Sequence, residues 1–224
     1  MTAPDGEVPI RDAATVILVR DAGDDAHVLM GQRGKTAAFM PEKFVFPGGA
    51  LDRADADVEV KGLNPTCEAR LGQHTHGAAA HTFAAAAIRE LWEETGQCLA
   101  ERRDWQPAKG WEPFAARGFA PDAAPLRYFF RALTPPGRPR RFDARFFLAD
   151  AAALATDPDD FSDAEDELSH LHWVSMNEVR KLDLPFITRL VLAELDKHLP
   201  RIDAPDAVPF VKNDDMESQV IWIS

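Results

Sequence analysis

The stretch Arg89-Glu90-Leu91-Trp92-Glu93-Glu94-Thr95-Gly96 places three carboxylates, Glu90, Glu93 and Glu94, in a segment whose composition favours a helix. Positions three and four residues apart share one helix face, so these three charges stand side by side. Like charges four residues apart destabilise an isolated helix by roughly 0.2–0.5 kcal/mol per pair. A divalent cation such as Mg²⁺ or Mn²⁺ would neutralise them and leave positions open for substrate phosphates. The stretch therefore indicates a metal site.

The helix that carries these carboxylates is predicted to span residues 83–95. Thr82 is a suitable N-cap, the alanines from Ala84 to Ala87 are strong helix formers, and Gly96 supplies a C-terminal stop. The segment ahead of the acids is almost all alanine, so the acids do not belong to a helix surface that carries charged residues along its length. This composition weighs against the common alternative, a solvated acidic helix face.

A second motif, Phe46-Pro47-Gly48-Gly49-Ala50-Leu51-Asp52, lies upstream and ends a short apolar run. Its Pro-Gly-Gly loop offers backbone carbonyls, so Gly49 is a candidate for a further metal ligand. With Ala86-Ala87-Ile88 and the stretch 89–96, this motif resembles the two halves of the Nudix box. The resemblance implies hydrolysis of nucleoside diphosphates linked to another group. It also implies metal ligation by Glu90, Glu93 and Glu94, a contact of Gly48 and Gly49 with substrate, and a role for Arg89 in orienting the carboxylates.

The two halves of this motif lie unusually far apart, since Gly49 is 40 residues before Arg89. In the family pattern a glutamate lies eight residues before the arginine, but His81 occupies that position here. Residues 53–80 are therefore predicted to form a surface insertion with one short helix near 64–72, and one auxiliary acid is expected to be missing. The split box, together with Phe39-Met40-Pro41, resembles the branch that includes peroxisomal coenzyme A diphosphatases.

Alternating and β-branched apolar runs predict the strands 14–20, 27–33, 43–46, 126–133, 143–149, 171–174 and 219–223. Further helices are predicted in part of 99–125, from Ser175 toward Lys181, and over 187–199. Strands followed by single helices indicate an α+β sandwich, and the resemblance implies a Nudix-type α/β/α sandwich with a mixed sheet. We expect a single domain over residues 1–224, in which 175–224 forms a C-terminal helical extension with a strand.

The composition restricts the classes of partner. The net charge of −12 argues against sequence-independent binding to nucleic acid or to an anionic membrane surface. A phosphate-bearing nucleotide is also anionic, so a small-molecule substrate of this kind needs the metal and a local basic group. Two basic patches are available, Gly31–Lys35 and Arg138–Arg141. Arg33 is the preferred substrate contact, because the coenzyme A-type pattern places a basic residue after the second strand.

The general base is assigned by resemblance alone. Residues 157–167 hold seven acids in eleven positions and no bases, just before a predicted strand. Related enzymes often place an additional carboxylate there, which makes Glu167 the predicted base. Glu93, inside the box, is either a further metal ligand or a partner for metal-bound water. The alternative for 157–167 is a solvated acidic loop.

Several further interpretations stay open at this point. Cys67 and Cys98 are expected to be reduced thiols, and neither a secretory signal nor a membrane-spanning run is visible, which favours the cytoplasm. His74, His76 and His81 form an alternative zinc cluster. The favoured substrate is coenzyme A or acyl-coenzyme A. ADP-ribose, NADH or a dinucleoside polyphosphate, or a non-catalytic nucleotide sensor, are the alternatives. The hairpin and insertion surfaces could serve a homodimer.

Overall fold

The computed structural model of the protein describes residues 8–23, 25–35, 40–75, 77–213 and 218–224. Its strands are β1 (Ile10–Arg20), β2 (His27–Arg33), β3 (Phe44–Val45), β4 (Gly48–Ala50), β5 (Ala100–Arg102), β6 (Phe119–Pro121), β7 (Arg127–Leu133), β8 (Arg141–Asp150), β9 (Leu168–Ser175), β10 (Val208–Asn213) and β11 (Ser218–Ile223). Its α-helices are α1 (Pro65–Leu71), α2 (Ala80–Thr95), α3 (Glu112–Ala116) and α4 (Phe186–His198). In these ranges no helix is both long and apolar enough to cross a membrane.

Nine of the described strands form one mixed sheet. Seven of them follow the order β11-β10-β7-β8-β1-β2-β3, while β4 pairs with β1 and β9 pairs with β2. The pairs β1–β8 and β7–β10 are parallel, and the remaining pairs of this sheet are antiparallel. The strands β5 and β6 form a separate antiparallel pair. The mixed sheet predicted from the resemblance is therefore confirmed.

The sheet is buried on both faces. Successive side chains of its central strand, β1, point to opposite faces, and those of Val16 to Val19 are all buried. Val16 and Leu18 of β1 belong to an apolar cluster with α1 and α2. Ile17 and Val19 belong to a second cluster, which includes residues of α4. The helices α1 and α2 thus cover one face and α4 covers the other. This arrangement confirms the α/β/α sandwich.

The helix α2 begins three residues earlier than predicted. Its first residue is Ala80, and Thr82, the predicted N-cap, lies inside the first turn, where its backbone N–H donates to the carbonyl of Ala79 at 3.1 Å. The predicted C-terminus is confirmed: Gly96 adopts a left-handed conformation (φ 74°) and its N–H donates to the Trp92 carbonyl at 2.7 Å. The alanines 84–87 are completely buried in the cluster beneath the helix. Their small size lets α2 lie close to the sheet.

Residues 53–80 are only in part the surface insertion that the sequence suggested. The predicted short helix is confirmed as α1, and the Asn64 side chain caps it by accepting from the Thr66 N–H at 2.9 Å. However, Cys67 and Leu71 lie one turn apart in α1, and both are buried in the main apolar cluster. Val58 is buried with them. Most positions of 53–80 lie at the surface, so the prediction of a surface segment fails only for these few buried residues, which are too few to show a periodicity in the sequence.

The helix predicted in part of residues 99–125 is confirmed as α3, and two other elements differ from the prediction. The helix expected from Ser175 does not form, because Ser175 still pairs with His27 as the last residue of β9, and only a 3₁₀ turn follows at Val179–Lys181. The strand β10 was not predicted, since Pro209 argues against a strand inside a sheet. Pro209 is the second residue of β10, so the rest of the strand keeps its backbone N–H groups.

The packing of α1 makes a prediction about stability. Leu71→Ala is expected to lower the free energy of unfolding by about 2–5 kcal/mol, because it leaves a cavity under the sheet. Glu68→Gln, on the exposed side of the same helix, should stay within about 0.5 kcal/mol of the wild type. Urea unfolding followed by circular dichroism measures both. Equal stability of the two variants would show that the segment is dispensable for the fold.

Candidate active site

The two halves of the predicted motif meet where β4 lies against the C-terminal half of α2. The backbone N–H of Gly48 donates to Glu94 Oε2 at 2.7 Å. A Cβ atom added to Gly49 would lie 2.5 Å from the carboxylate atoms of Glu90, and one added to Gly48 would lie 2.5 Å from Thr15 Oγ1. Only glycine fits at these two positions, because the backbone of β4 lies directly against the Glu90 carboxylate at Gly49 and against β1 at Gly48.

Arg89 joins the carboxylates to the loop through five hydrogen bonds. Its Nε and Nη2 donate to Asp55 Oδ1 and Oδ2, each at 2.9 Å, and Nη2 also donates to the Ala50 carbonyl at 3.0 Å. Its Nη1 donates to Glu90 Oε1 and Glu93 Oε2, each at 2.9 Å. Burial alone would lower the pKa of this guanidinium, but the hydrogen bond to Asp55 and the surrounding acids raise it overall. Arg89 therefore stays charged and fixes the orientation of two of the three glutamates.

Asp55 is the residue that the sequence reasoning missed. Its side chain is fully buried, and besides binding Arg89 it accepts a hydrogen bond from the Asp52 N–H at 2.8 Å. Asp55 lies six residues after Gly49, whereas the family pattern places its glutamate eight residues before Arg89, where this chain has His81. Arg89 nevertheless has a buried acidic partner in Asp55. The ring of His81 instead contacts the Ala56 carbonyl at 3.1 Å.

The three glutamates repel one another in surroundings that already disfavour charge. Burial raises the pKa of Glu90 to about 7, although Arg89 acts in the opposite direction. Burial and then the charge of Glu90 raise the pKa of Glu94 well above its usual range. Burial also raises the pKa of Glu93. Glu94 Oε1 is buried and has no hydrogen-bond partner among the residues that the structure describes. An unpaired buried carboxylate oxygen is costly, so this face favours a cation.

The donor chemistry of this face fits Mg²⁺ or Mn²⁺, which prefer carboxylate and carbonyl oxygens. Glu90 and Glu93 each give one oxygen to Arg89 and keep a second, and Glu94 keeps its unpartnered Oε1. Across the described ranges, no three acidic, histidine or cysteine side chains already form a group that could hold an ion. Of the alternative zinc cluster, His76 lies outside these ranges. The metal-ligand roles of Glu90, Glu93, Glu94 and Gly49 stay predictions.

The predicted base and the predicted substrate contact are bound to each other. Arg33 Nη2 lies 3.0 Å from Glu167 Oε1. The charge of Glu167 contributes to the raised pKa of Glu90 and of Glu94, and the charge of Arg33 opposes the rise at Glu94. Both side chains thus act electrostatically on the carboxylates of α2. Their catalytic and substrate-binding roles stay predictions.

The acidic segment 157–167 is anchored to the rest of the molecule. The Glu165 N–H donates to the Glu93 carbonyl at 2.8 Å, and the Gln97 side chain donates to the carbonyls of Asp157 and Asp160. The indole of Trp173 donates to the Pro158 carbonyl at 2.9 Å. The segment is therefore held beside the end of α2, although most of its acidic side chains point to solvent.

Other candidates lie in structural roles. Cys67 and Cys98 are buried free thiols, which agrees with the expected reduced state. The Arg141 side chain donates to the Thr134 carbonyl across the β7–β8 turn at 3.2 Å. This bond ties one member of the second basic patch to its own hairpin.

The buried ion pair predicts a strong effect at Asp55. Asp55→Ala leaves the Arg89 guanidinium buried without its two-point partner, which is expected to cost about 3–5 kcal/mol of unfolding free energy. Asp57→Ala, two residues away, is the matched control and should change little, since Asp57 is exposed. Chemical denaturation provides the comparison. A loss below about 1 kcal/mol at Asp55, the size of a surface pair, would contradict a central role for this contact.

The raised pKa values predict how stability depends on pH without metal. The pKa of Glu90 rises from 4.5 in the unfolded chain to about 7, so the folded state holds this proton more tightly. The protonated Glu90 therefore contributes to the free energy of unfolding, fully below pH 4.5 and less and less as pH rises through about 7. Glu94 acts in the same direction. With EDTA, the melting temperature of Glu94→Gln should therefore exceed that of the wild type, and increasingly so across this window. A constant difference between the two proteins would contradict the expectation.

Comparisons with known proteins bear on this arrangement. Residues 76–195, more than half of the chain, match the family model described as the NUDIX domain. The chain is 30% identical over 182 residues to "Putative nudix hydrolase 7" of Caenorhabditis elegans, covering 75% of this chain and 52% of that protein. It is 27% identical over 237 residues to the acyl-coenzyme A diphosphatase NUDT19 of Gallus gallus, covering 75% and 61%. The chain thus spans between about half and three fifths of the length of these two relatives.

Solved structures show the same fold. The crystal structure of a NUDIX hydrolase from Alicyclobacillus acidocaldarius superposes with a TM-score of 0.64 at 26% sequence identity, covering 88% of this chain and 99% of that one. The NUDIX hydrolase from Nitrosomonas europaea, at 11% identity and a TM-score of 0.51, shares the fold over 88% of this chain and 94% of that one. On the match to the family model and on these relatives, the chain belongs to the Nudix family.

Proposed function

We propose that the protein hydrolyses the pyrophosphate bond of a nucleoside diphosphate linked to another group, with Mg²⁺ or Mn²⁺ as cofactor. The observation that carries this proposal is the face of α2 on which Glu90 and Glu94 lie against the Gly48–Gly49 backbone, with Glu93 held beside Glu90 by Arg89. Such a face concentrates negative charge that an ion can neutralise, and a diphosphate is the class of substrate that bridges to such ions. Family membership supports the same chemistry.

In the proposed reaction the residues of this chain bind, orient and accept a proton. A bound divalent ion supplies positive charge that offsets the charge developing on the diphosphate. Glu90 and Glu94 hold the ion, with Glu93 and the Gly49 carbonyl as further candidate ligands. Asp55 holds Arg89 in place, and Arg89 orients the carboxylates of Glu90 and Glu93. Glu167 takes the proton of the attacking water, and Arg33 contacts a substrate phosphate.

Coenzyme A or acyl-coenzyme A is the proposed substrate. In support, the chain is 27% identical to a protein named as an acyl-coenzyme A diphosphatase. The Met40-Pro41 approach to the Gly48–Gly49 loop also resembles that branch, although Phe39 lies outside the described residues. The case for a non-catalytic sensor rested on a lost box acid. That case weakens, because Asp55 supplies an acid to Arg89. Pyrophosphatases for ADP-ribose, NADH or dinucleoside polyphosphates remain alternative outcomes of the test.

A substrate panel tests this proposal. Coenzyme A, acetyl-coenzyme A, dephospho-coenzyme A, ADP-ribose, NADH and diadenosine tetraphosphate are each incubated with Mg²⁺ or Mn²⁺, and products are separated by chromatography. We expect metal-dependent cleavage, fastest for coenzyme A or its thioester and slower for dephospho-coenzyme A, which lacks the 3′-phosphate that a cation such as Arg33 would bind. Glu94→Gln should abolish turnover, while Glu68→Gln should not.

Two results would count against the proposal. Brisk cleavage of ADP-ribose with none of coenzyme A would transfer the assignment to the alternative substrates. Undiminished hydrolysis by Glu94→Gln at saturating Mg²⁺ would remove the α2 carboxylates from the mechanism altogether.

A further inference from the structure

Arg33 and Glu167 occupy the ends of two strands that pair with each other. Arg33 is the last residue of β2 and pairs with Leu168, the first residue of β9, so Glu167 immediately precedes the paired position. The backbone of Arg33 is held on its other side as well. Its N–H donates to the Lys43 carbonyl at 3.0 Å, and its carbonyl accepts from the Glu42 N–H at 3.1 Å. The position from which the arginine side chain projects is therefore fixed.

The strands approach closely just before this pair. A Cβ atom added to Gly31 would lie 2.9 Å from both Leu168 Cβ and Leu171 Cδ2, so no larger residue fits without a shift. The Ser169 hydroxyl also donates to the Gln32 carbonyl at 3.1 Å. These contacts restrict movement of β9 relative to β2 at the point where Glu167 begins.

The backbone around Glu167 is fixed from two directions. Two residues earlier, the Glu165 N–H donates to the Glu93 carbonyl near the end of α2, at 2.8 Å. One residue later, Leu168 pairs with Arg33. Glu167 lies in the short segment that connects these two anchors, one on α2 and one on the sheet. The segment that carries Glu167 is therefore anchored both to α2 and to the sheet.

The ion pair itself is asymmetric. The Arg33 side chain is 18% exposed, and its Nε is buried without a hydrogen-bond partner among the described residues. The Glu167 side chain is 58% exposed. An exposed glutamate loses rotamer freedom when it is held, and a surface ion pair contributes little to stability. The main effect of this contact is thus to restrict where the Glu167 carboxylate points.

We propose that Arg33 is a positioning residue that holds the Glu167 carboxylate beside the glutamates of α2, in the orientation needed to accept a proton from the attacking water. This inference rests on the proposed hydrolase function and extends it. As the water oxygen bonds to phosphorus, its proton passes to Glu167, and the bridging oxygen leaves with the electron pair of the broken P–O bond. Arg33 acts through Glu167 in this step, in addition to any contact with a substrate phosphate.

A double-mutant cycle separates positioning from phosphate binding. The variants Arg33→Gln, Glu167→Gln and the double variant are assayed with saturating Mg²⁺ on the best substrate of the panel. Glu167→Gln should lower kcat about 100-fold or more, as expected for loss of a general base. Arg33→Gln should lower kcat roughly 10–100-fold through misplacement of the base. In the Glu167→Gln background, Arg33→Gln should lower kcat no further, because the two residues act as a unit.

Two additional variants sharpen the result. Arg33→Lys keeps the positive charge and has one donor nitrogen in place of three, so it should restore part of kcat relative to Arg33→Gln. Arg180→Gln removes an exposed ion pair with Asp196 and should keep the wild-type kcat and KM. Thermal melts of all variants show whether they are folded. The inference is independent of any rise in KM, which would report a separate phosphate contact.

Three outcomes overturn the inference. Multiplicative losses in the double variant would mean that Arg33 and Glu167 act separately. An Arg33→Gln variant with raised KM and unchanged kcat would restrict Arg33 to substrate binding, and an unchanged kcat in Glu167→Gln would remove the base. By contrast, absence of metal-dependent hydrolysis in the wild type on every compound of the panel would refute the proposed function, and the inference with it.

Discussion

The Arg89 guanidinium is a cation enclosed by the oxygens of Asp55, Glu90, Glu93 and Ala50. These partners come from three different parts of the chain: the strand β4, the 3₁₀ turn at Arg53–Asp57, and α2 itself. A buried ion pair is weak evidence for net stability, because desolvation opposes the attraction. Its value here is geometric. It fixes where two glutamates point, and it ties the interrupted halves of the motif together.

Repulsion among the three carboxylates explains why this cluster is typical of a functional site and not of a hydrophobic core. Three carboxylates on one helix face are only partly neutralised by one arginine, and burial adds to the cost of their charge. A protein selected only for stability would replace one of them with an apolar residue. Raised pKa values of this kind are the general pattern at functional sites, and they support the proposal that these glutamates bind a cation.

The sequence predicted those features that depend on local repetition or on a dense motif. The strands β1 and β2, the helices α2 and α4, and the glutamate trio all follow from periodicity, composition or spacing. Asp55 could not be found from its distance to Arg89, because the residues between the two motifs lengthen that distance. The core contribution of α1 was not visible in the sequence because the helix has only two buried apolar positions, Cys67 and Leu71. The pairing of Arg33 with Glu167 is a tertiary fact, fixed by the register of β2 against β9.

The buried alanines 84–87 of α2 have a consequence for how the site tolerates change. Because α2 packs against its neighbours through methyl groups at these four positions, the distance between the helix and those neighbours is set by very small side chains. Interiors are close-packed, so an added methylene at one of these alanines must displace the helix or its neighbours. Such a displacement would carry the glutamates away from the glycine loop without touching either of them. The geometry of the candidate active site thus depends on the small volume of buried alanines that are not themselves part of the site.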